Sequence, residues 1–483
     1  MVTGESTDSA AQTTGMSAER MGKVDTAWLR MDSPHNLMMI MGVWVLRPGL
    51  AYTDLHQRLE ERLLKFPRFM QCALEDNSGA SWVQDPHFML SHHLVRAVLP
   101  VSDGSAPQEA LQHLLAQLCT QPLNHHRPLW QMHLIENYEG GSALVVRIHH
   151  CIADGMALMA VMQSLVDGGT APAQSVDEPF GTSAAGHRDG ARDWGAQALL
   201  KSLTGFAVRA LDGVANKGTN DVAKWAFQTL ADVAALAMME DDSKTSLRGT
   251  PDTAKRLSWC AALPLEEVKV VGRSLQCSVN DVLLACVAGA LGQYLRMNGE
   301  QVHGKEIRVM VPVNLRSLTE ASHHLGNSFG VVPLVLPVGL DNPVACIDAV
   351  RRRMHELKGS TQPLLAMGML AAAGVMNKPA QDALLGFFSK KTTAVVTNVP
   401  GPAEKKYLCG SCIEEAIFWV PQSGTVGLGI SIFSYGGGVQ FGILSDARLC
   451  PDPQKIADLI GPEFNRLLTL SLMLPWGHQW DEV

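Results

Sequence analysis

One run constrains this chain more than any other: Val145-Val146-Arg147-Ile148-His149-His150-Cys151-Ile152-Ala153-Asp154-Gly155-Met156-Ala157-Leu158-Met159. It opens as an apolar, β-branched segment of the kind that forms a buried strand. It closes in Met156 to Val166, a composition that suits a helix. Between them lie two histidines, a carboxylate and a glycine. A strand that stops, turns and starts a helix can hold a reactive side chain at the rim of a core. Successive strand side chains point to opposite faces, so His149 and His150 are not expected to serve one site together. One should face a cleft while its neighbour packs inward. Asp154, near the helix start, is placed to cap free N–H groups or to pair with a buried arginine. Gly155 allows a tight turn or the close approach of another backbone. A neutral imidazole, with an unperturbed pKa near ~6.5, suits a general base.

Plainer readings stand beside that chemistry. A pair of histidines in a core is more often structural and hydrogen-bonded than reactive. A His/His/Asp metal site is disfavoured, because adjacent strand histidines diverge and no second ligand cluster has zinc spacing, so no metal is expected. Cys151 as a nucleophile has little support, since buried cysteines are usually inert.

The chain has 483 residues, too many for one ordinary core, so two similar domains are expected. It carries 22 Met and only 5 Tyr, which fits adaptable apolar surfaces, either a Met-rich core or a lipid tunnel. A net charge of −8 argues against nucleic-acid binding. The 10 Cys are scattered apart from Cys409 and Cys412, a lone Cys-Gly-Ser-Cys, and reduced thiols are the simpler reading. Met1 to Gly15 has no apolar core of the secretory type, and no apolar run reaches the ~20 residues that span a bilayer. A cytoplasmic location is expected, with peripheral contact at the inner membrane or lipid inclusions left open.

Residues His149 to Gly155 read HHxxxDG. Their companions are Pro128-Leu129-Trp130, Asn280-Asp281, Pro312 to Arg316 (PVNLR), Gly326 to Gly330 (GNSFG) and Asn398 to Pro402 (NVPGP). On these residues the chain resembles, over nearly its whole length, the bacterial wax ester synthase/diacylglycerol acyltransferase family. That family lies in the chloramphenicol-acetyltransferase-like, CoA-dependent acyltransferase superfamily, which also holds nonribosomal-peptide condensation domains. The resemblance implies an α/β fold of two chloramphenicol-acetyltransferase-like subdomains. Each would be a mixed β-sheet with flanking helices, with the active site and a tunnel at their interface. Acyl-CoA would enter from one side as co-substrate, with no cofactor, and a long-chain alcohol or diacylglycerol from the other.

The resemblance also implies roles. His150, rather than His149, would be the general base, and Asn280 an oxyanion donor. His149 and Asp154 would hold the strand–turn geometry, and Gly155 would leave room for the thioester. The motif aspartate would pair with an arginine, for which Arg316 is the candidate and Arg147 the local alternative. Pro128 and Trp130 would brace the histidine strand. Pro363 to Gly374 would lie near the acyl channel, so Gly368 and Ala372 are expected to line it.

The chain divides into a flexible tail, 1–20, and an N-terminal subdomain, 21–167. A linker and helical connection, 168–255, leads to the C-terminal subdomain, 256–483. His125 and His126 are expected at the surface or a helix end, and His92 and His93 at the surface or a strand end. Two rivals share the pattern. One is a condensation-type enzyme acting on a carrier-protein thioester, and the other a non-catalytic lipid-binding protein that keeps the tunnel.

Overall fold

The apolar run ahead of the histidine pair is buried along its whole length because it is the inner strand of a six-stranded sheet. The computed structural model describes residues 18–76, 79–99, 106–169, 239–314, 325–327, 329–358 and 362–473. The N-terminal half contains β1 (Glu19–Arg20), α1 (Lys23–Arg30), β2 (Met39–Arg47), α2 (Tyr52–Glu61), β3 (Gln71–Asp76) and β4 (Gly79–Gln84). It continues with β5 (Leu94–Arg96), α3 (Pro107–Thr120), β6 (Trp130–Tyr138), β7 (Gly141–His149) and α4 (Gly155–Leu165). The helices expected within 194–239 fall almost wholly outside the described residues.

The C-terminal half opens with β8 (Lys255–Trp259), β9 (Leu263–Pro264), α5 (Leu265–Ser274), α6 (Val279–Met297), β10 (Ile307–Asn314) and β11 (Phe329–Leu336). Three helices follow: α7 (Pro343–Lys358), α8 (Gln362–Ala373) and α9 (Lys378–Ser389). The chain then gives β12 (Ala394–Pro400), β13 (Tyr407–Leu408), β14 (Ser411–Trp419), β15 (Leu428–Tyr435), β16 (Gly438–Asp446) and α10 (Pro453–Met473).

The N-terminal sheet has the order β13-β14-β2-β7-β6-β5, and the C-terminal one β11-β10-β12-β15-β16-β8, with β9 also on β16. Both are mixed sheets. The two halves are stitched together, because β14 leaves the C-terminal half and pairs antiparallel with β2, from Cys412↔Arg47 to Trp419↔Met41. Core residues therefore mix: Ile413, Ala416 and Phe433 pack in the same cluster as Trp28, Trp130 and Ile148.

Local chemistry explains most elements. Ser278 caps α6 in a reciprocal capping box with Asp281: Ser278 Oγ accepts the Asp281 N–H and Asp281 Oδ2 the Ser278 N–H, so both side chains give acceptors to N–H groups that the helix start leaves free. β15 and β16 join through Gly436 and Gly437, at φ +56 and +84, the two positive values a tight hairpin demands. The expected helix over 53–66 stops at Glu61 and gives way to 3-10 turns at Leu63–Lys65 and Pro67–Met70. The polar connection 240–255 is tied down, for Asp242 is buried and accepts from the Arg308 N–H at 2.8 Å. Glu19 and Arg20, placed in the tail by the sequence, pair with β4. Among the described residues no single helix is long and apolar enough to cross a membrane.

Candidate active site

Strand alternation separates the two histidines. Val146, Ile148 and His150 line a cavity of about 530 Å³, a size typical of small-molecule sites. Arg147 and His149 point to the other face of β7. Both neighbours of the strand hold the pair in place: His149 N–H donates to Leu129 O at 2.9 Å, and His150 N–H to Met38 O at 2.7 Å. Leu129 belongs to the Pro-Leu-Trp element. Its Trp130 is fully buried, donates from Nε1 to Phe69 O at 2.8 Å, and sits opposite Ile148. Trp130 thus packs directly beside the histidine strand.

His150 is 9% exposed and stacks on Trp28 with ring centroids 4.2 Å apart and planes 13° off parallel. Phe329 closes a three-ring cluster, 5.6 Å from the imidazole and 5.8 Å from the Trp28 ring. Nδ1 is sealed from solvent with no hydrogen-bond partner. Burial pushes the imidazole pKa down to about 4, while the residue's own backbone and Asp154 work the other way. At neutral pH the ring is therefore uncharged, with one nitrogen protonated and the other carrying a lone pair.

His149 is locked instead. Its Nδ1 accepts the Cys151 N–H at 3.1 Å, so the proton sits on Nε2, which lies 3.3 Å from Asp32 Oδ1. Asp32 also accepts the Met38 N–H at 2.6 Å and lies 3.6 Å from His125 Nε2. Burial works to raise the Asp32 pKa, but hydrogen bonding with His125 and His149 overcomes it, so this carboxylate stays ionised. His125 is raised, mainly by Asp32. His125 is thus a half-exposed member of this cluster, and His126 is exposed. His93 is not at the surface: it is 2% exposed and stacks against Phe88 and Trp130, with Nδ1 2.8 Å from Trp130 O.

Asp154 caps α4, accepting the Ala157 N–H at 2.9 Å. Arg147 is committed elsewhere, donating to Gln131 Oε1 at 3.0 Å and to the Gln121 carbonyl, and Arg316 lies outside the described residues. Gly155 lines the cavity with an ordinary helical start. A Cβ there would meet only Val399 Cγ2 at 3.5 Å, so the glycine keeps space open and no special turn requires it. Cys151 is fully buried, and burial holds its thiol well above the usual range, so it is no thiolate. All ten cysteines are free thiols, and no cluster of metal-ligating side chains occurs among the described residues.

Asn280 stands behind the wall: its Oδ1 accepts from Asn398 Nδ2 at 3.1 Å, and Asn398 is the one of the two that lines the cavity. Gly368 and Ala372 are buried on α8 but do not line it. The lining face is Ala366, Met369, Leu370 and Ala373, the i, i+3, i+4, i+7 set of one helical stripe. The cavity draws its wall from both halves, with Trp28, Ile40 and Trp44 facing Met310, Val331 and Phe388.

Residues 21–283 match the wax ester synthase/diacylglycerol acyltransferase catalytic domain. The chain belongs to that family. The family's C-terminal domain matches residues 325–468. A putative diacylglycerol O-acyltransferase of Mycobacterium bovis is 27% identical over 433 residues, 87% of this chain and 88% of that protein. Another, from Mycobacterium tuberculosis, is 26% identical over 466 residues, covering 89% and 92%. Among solved structures, the wax ester synthase/diacylglycerol acyltransferase from Marinobacter aquaeolei VT8 has a TM-score of 0.65 at 20% identity, covering 94% of this chain and 100% of that one. The first condensation domain of the calcium-dependent antibiotic synthetase gives 0.57 at 16% identity, covering 95% and 97%. The fold is that of two chloramphenicol-acetyltransferase-like subdomains, and the protein is an acyltransferase.

Some contacts of this acyltransferase site had no legible role in the sequence. Asn327, in the GNSFG element, donates from Nδ2 to the His150 carbonyl and to Asp25 Oδ1, both at 2.8 Å, tying α1, the histidine turn and the C-terminal half together. Trp28 and Asp32 carried no motif that assigned them to the histidines. Asn327 lay in a recognised element, which gave its place but not its partners.

Proposed function

We propose that this wax ester synthase/diacylglycerol acyltransferase esterifies long-chain alcohols or diacylglycerol with acyl groups from acyl-CoA, using His150 as the base. One observation carries the reading: an uncharged imidazole on the wall of an apolar cavity shared by the two halves. The ring takes the hydroxyl proton as the alcohol oxygen attacks the thioester carbonyl. The C–S bond then breaks, and the imidazolium returns the proton to the departing thiolate. With both substrates bound together, proximity supplies the effective concentration and no acyl-enzyme is required. Asn280 acts through Asn398, which lines the cavity and whose second amide N–H would donate to the developing oxyanion, a contribution of about 2.7–4 kcal/mol for one good donor. His149, Asp32 and Asp154 fix the turn that presents His150.

The test is thiol release from palmitoyl-CoA, measured with and without 1-hexadecanol or dioleoylglycerol. Release is expected only with an acceptor and in step with ester. Activity confined to a carrier-protein thioester, or binding of hexadecanol without thiol release, would overturn this reading.

A further inference from the structure

One end of the cavity carries a charge that the chemistry at His150 does not use. Among the described residues, Lys406 is the sole lysine or arginine in the lining, in a wall built mainly of aliphatic, methionine and aromatic side chains. Pro402 and Tyr435, half-buried, and Gln163, exposed, line the cavity as well, so it meets solvent here. The end of α4 is held against this corner, because Asp167, one turn beyond Gln163, donates its N–H to Tyr407 O at 2.7 Å.

The lysine is fixed at its backbone. Lys406 N–H donates to Tyr435 Oη at 2.8 Å, and Lys406 O accepts the Ile413 N–H at 2.8 Å. Tyr435 Oη in turn donates to Ile413 O at 2.9 Å, so the phenol is fully engaged as a support. The two neighbouring lysines differ. Lys405 is ion-paired with Glu414, whereas Lys406 faces the cavity with no carboxylate partner among the described residues. Strand register gives the distance from the reacting centre. Ile413 stands opposite Leu46 on β2, and Leu46 opposite Ser142 on β7. Ser142 precedes His150 by eight residues, about 26 Å at ~3.3 Å per residue, a span that the lysine side chain shortens by reaching into the cavity.

From these residues we infer that Lys406 forms a subsite for an anionic group carried by a substrate, a phosphate or a carboxylate, far from the carbonyl that reacts. The inference rests on the acyl-transfer reading above. An ammonium is a strongly hydrated point charge with three donors, and apolar walls offer it nothing to bond. An anion brought to it makes a charge-assisted hydrogen bond, which is stronger beside a low-polarity lining than in open water. Two sources carry such a group at this remove. One is the phosphates of acyl-CoA, at the end of the pantetheine arm. The other is a second carboxylate at the far end of a long acyl or alcohol chain.

The experiment uses Lys406→Gln and Lys406→Glu in the full chain, with melting temperatures expected to stay close to that of the parent. The phosphate arm compares palmitoyl-CoA with S-palmitoyl-N-acetylcysteamine, the same thioester without phosphates, at fixed hexadecanol. The carboxylate arm compares hexadecanedioyl-CoA with palmitoyl-CoA, and ω-hydroxyhexadecanoate with hexadecanol. Lys406→Gln is expected to raise KM for the member bearing the extra anion by about 10-fold in one arm, the scale of one hydrogen bond to a charged group, with the other member and kcat unchanged. Lys406→Glu should raise it further. The arm that moves identifies the anion. KM unchanged in both arms, or raised equally for both members of every pair, would overturn the inference and leave Lys406 an ordinary rim lysine. A parent protein that forms no ester with any pair would instead defeat the acyl-transfer reading. The subsite is then read by calorimetric binding of CoA and of hexadecanedioate: about 10-fold weaker binding of either to Lys406→Glu supports it, and equal affinities in parent and variant for both would overturn it.

Discussion

Replacing His150 with alanine is expected to lower ester formation by about 10²–10⁴-fold or more while leaving the protein folded, because a positioned general base contributes on that scale. The structure explains why the fold should survive. The side chain lies on a cavity wall, its stacking on Trp28 is its main packing contact, and Nδ1 is already without a hydrogen-bond partner. Truncation enlarges an existing space and removes a buried polar atom. The backbone ties to Met38 O and from Asn327 Nδ2 do not involve the ring and should persist. Steady-state ester formation and a thermal melt, measured on the same sample, check both halves of the statement. Turnover near that of the parent would remove His150 from the chemistry.

Trp130→Ala carries the largest expected effect on stability, a loss of about 3–5 kcal/mol, the usual range for truncating a buried aromatic. The indole is fully buried between His93, at 4.6 Å, and Phe69, at 5.6 Å. Its loss also orphans the Phe69 carbonyl that accepts from Nε1 at 2.8 Å. Since β6 lies beside β7 with Trp130 opposite Ile148, loosening should reach the histidine strand and lower activity as well. Urea denaturation measures it. A loss under about 1 kcal/mol would mean that the Pro-Leu-Trp element is not the brace described here.

The histidine strand was legible because its pattern is local: a β-branched run, a polar turn and a helical composition follow one another. Alternation separated His149 from His150, and the structure supplies the missing half, that Val146 and Ile148 share a cavity face with His150. Other features depend on distant partners. Nothing within β14 announces that it pairs with β2, and nothing near Asp32 points to His149. His93 reads as a strand-end histidine until Phe88 and Trp130 close over it. The resemblance puts Gly368 and Ala372 near the channel, but α8 is apolar or small nearly all round. Such a helix has no polar face to fix its rotation, and the stripe that lines the cavity is Ala366, Met369, Leu370 and Ala373.

The pH dependence of kcat/KM tests the central claim most directly, because it reports the base of the free enzyme. The active imidazole is the neutral form, and burial lowers its pKa to about 4 from the ordinary value of 6.5. Protonation therefore sets in only in acid. The rate is predicted to be flat from about pH 6 to 8 and to fall as pH drops toward about 4. An acid limb centred near ~6.5 would contradict a sealed, neutral His150 as the base.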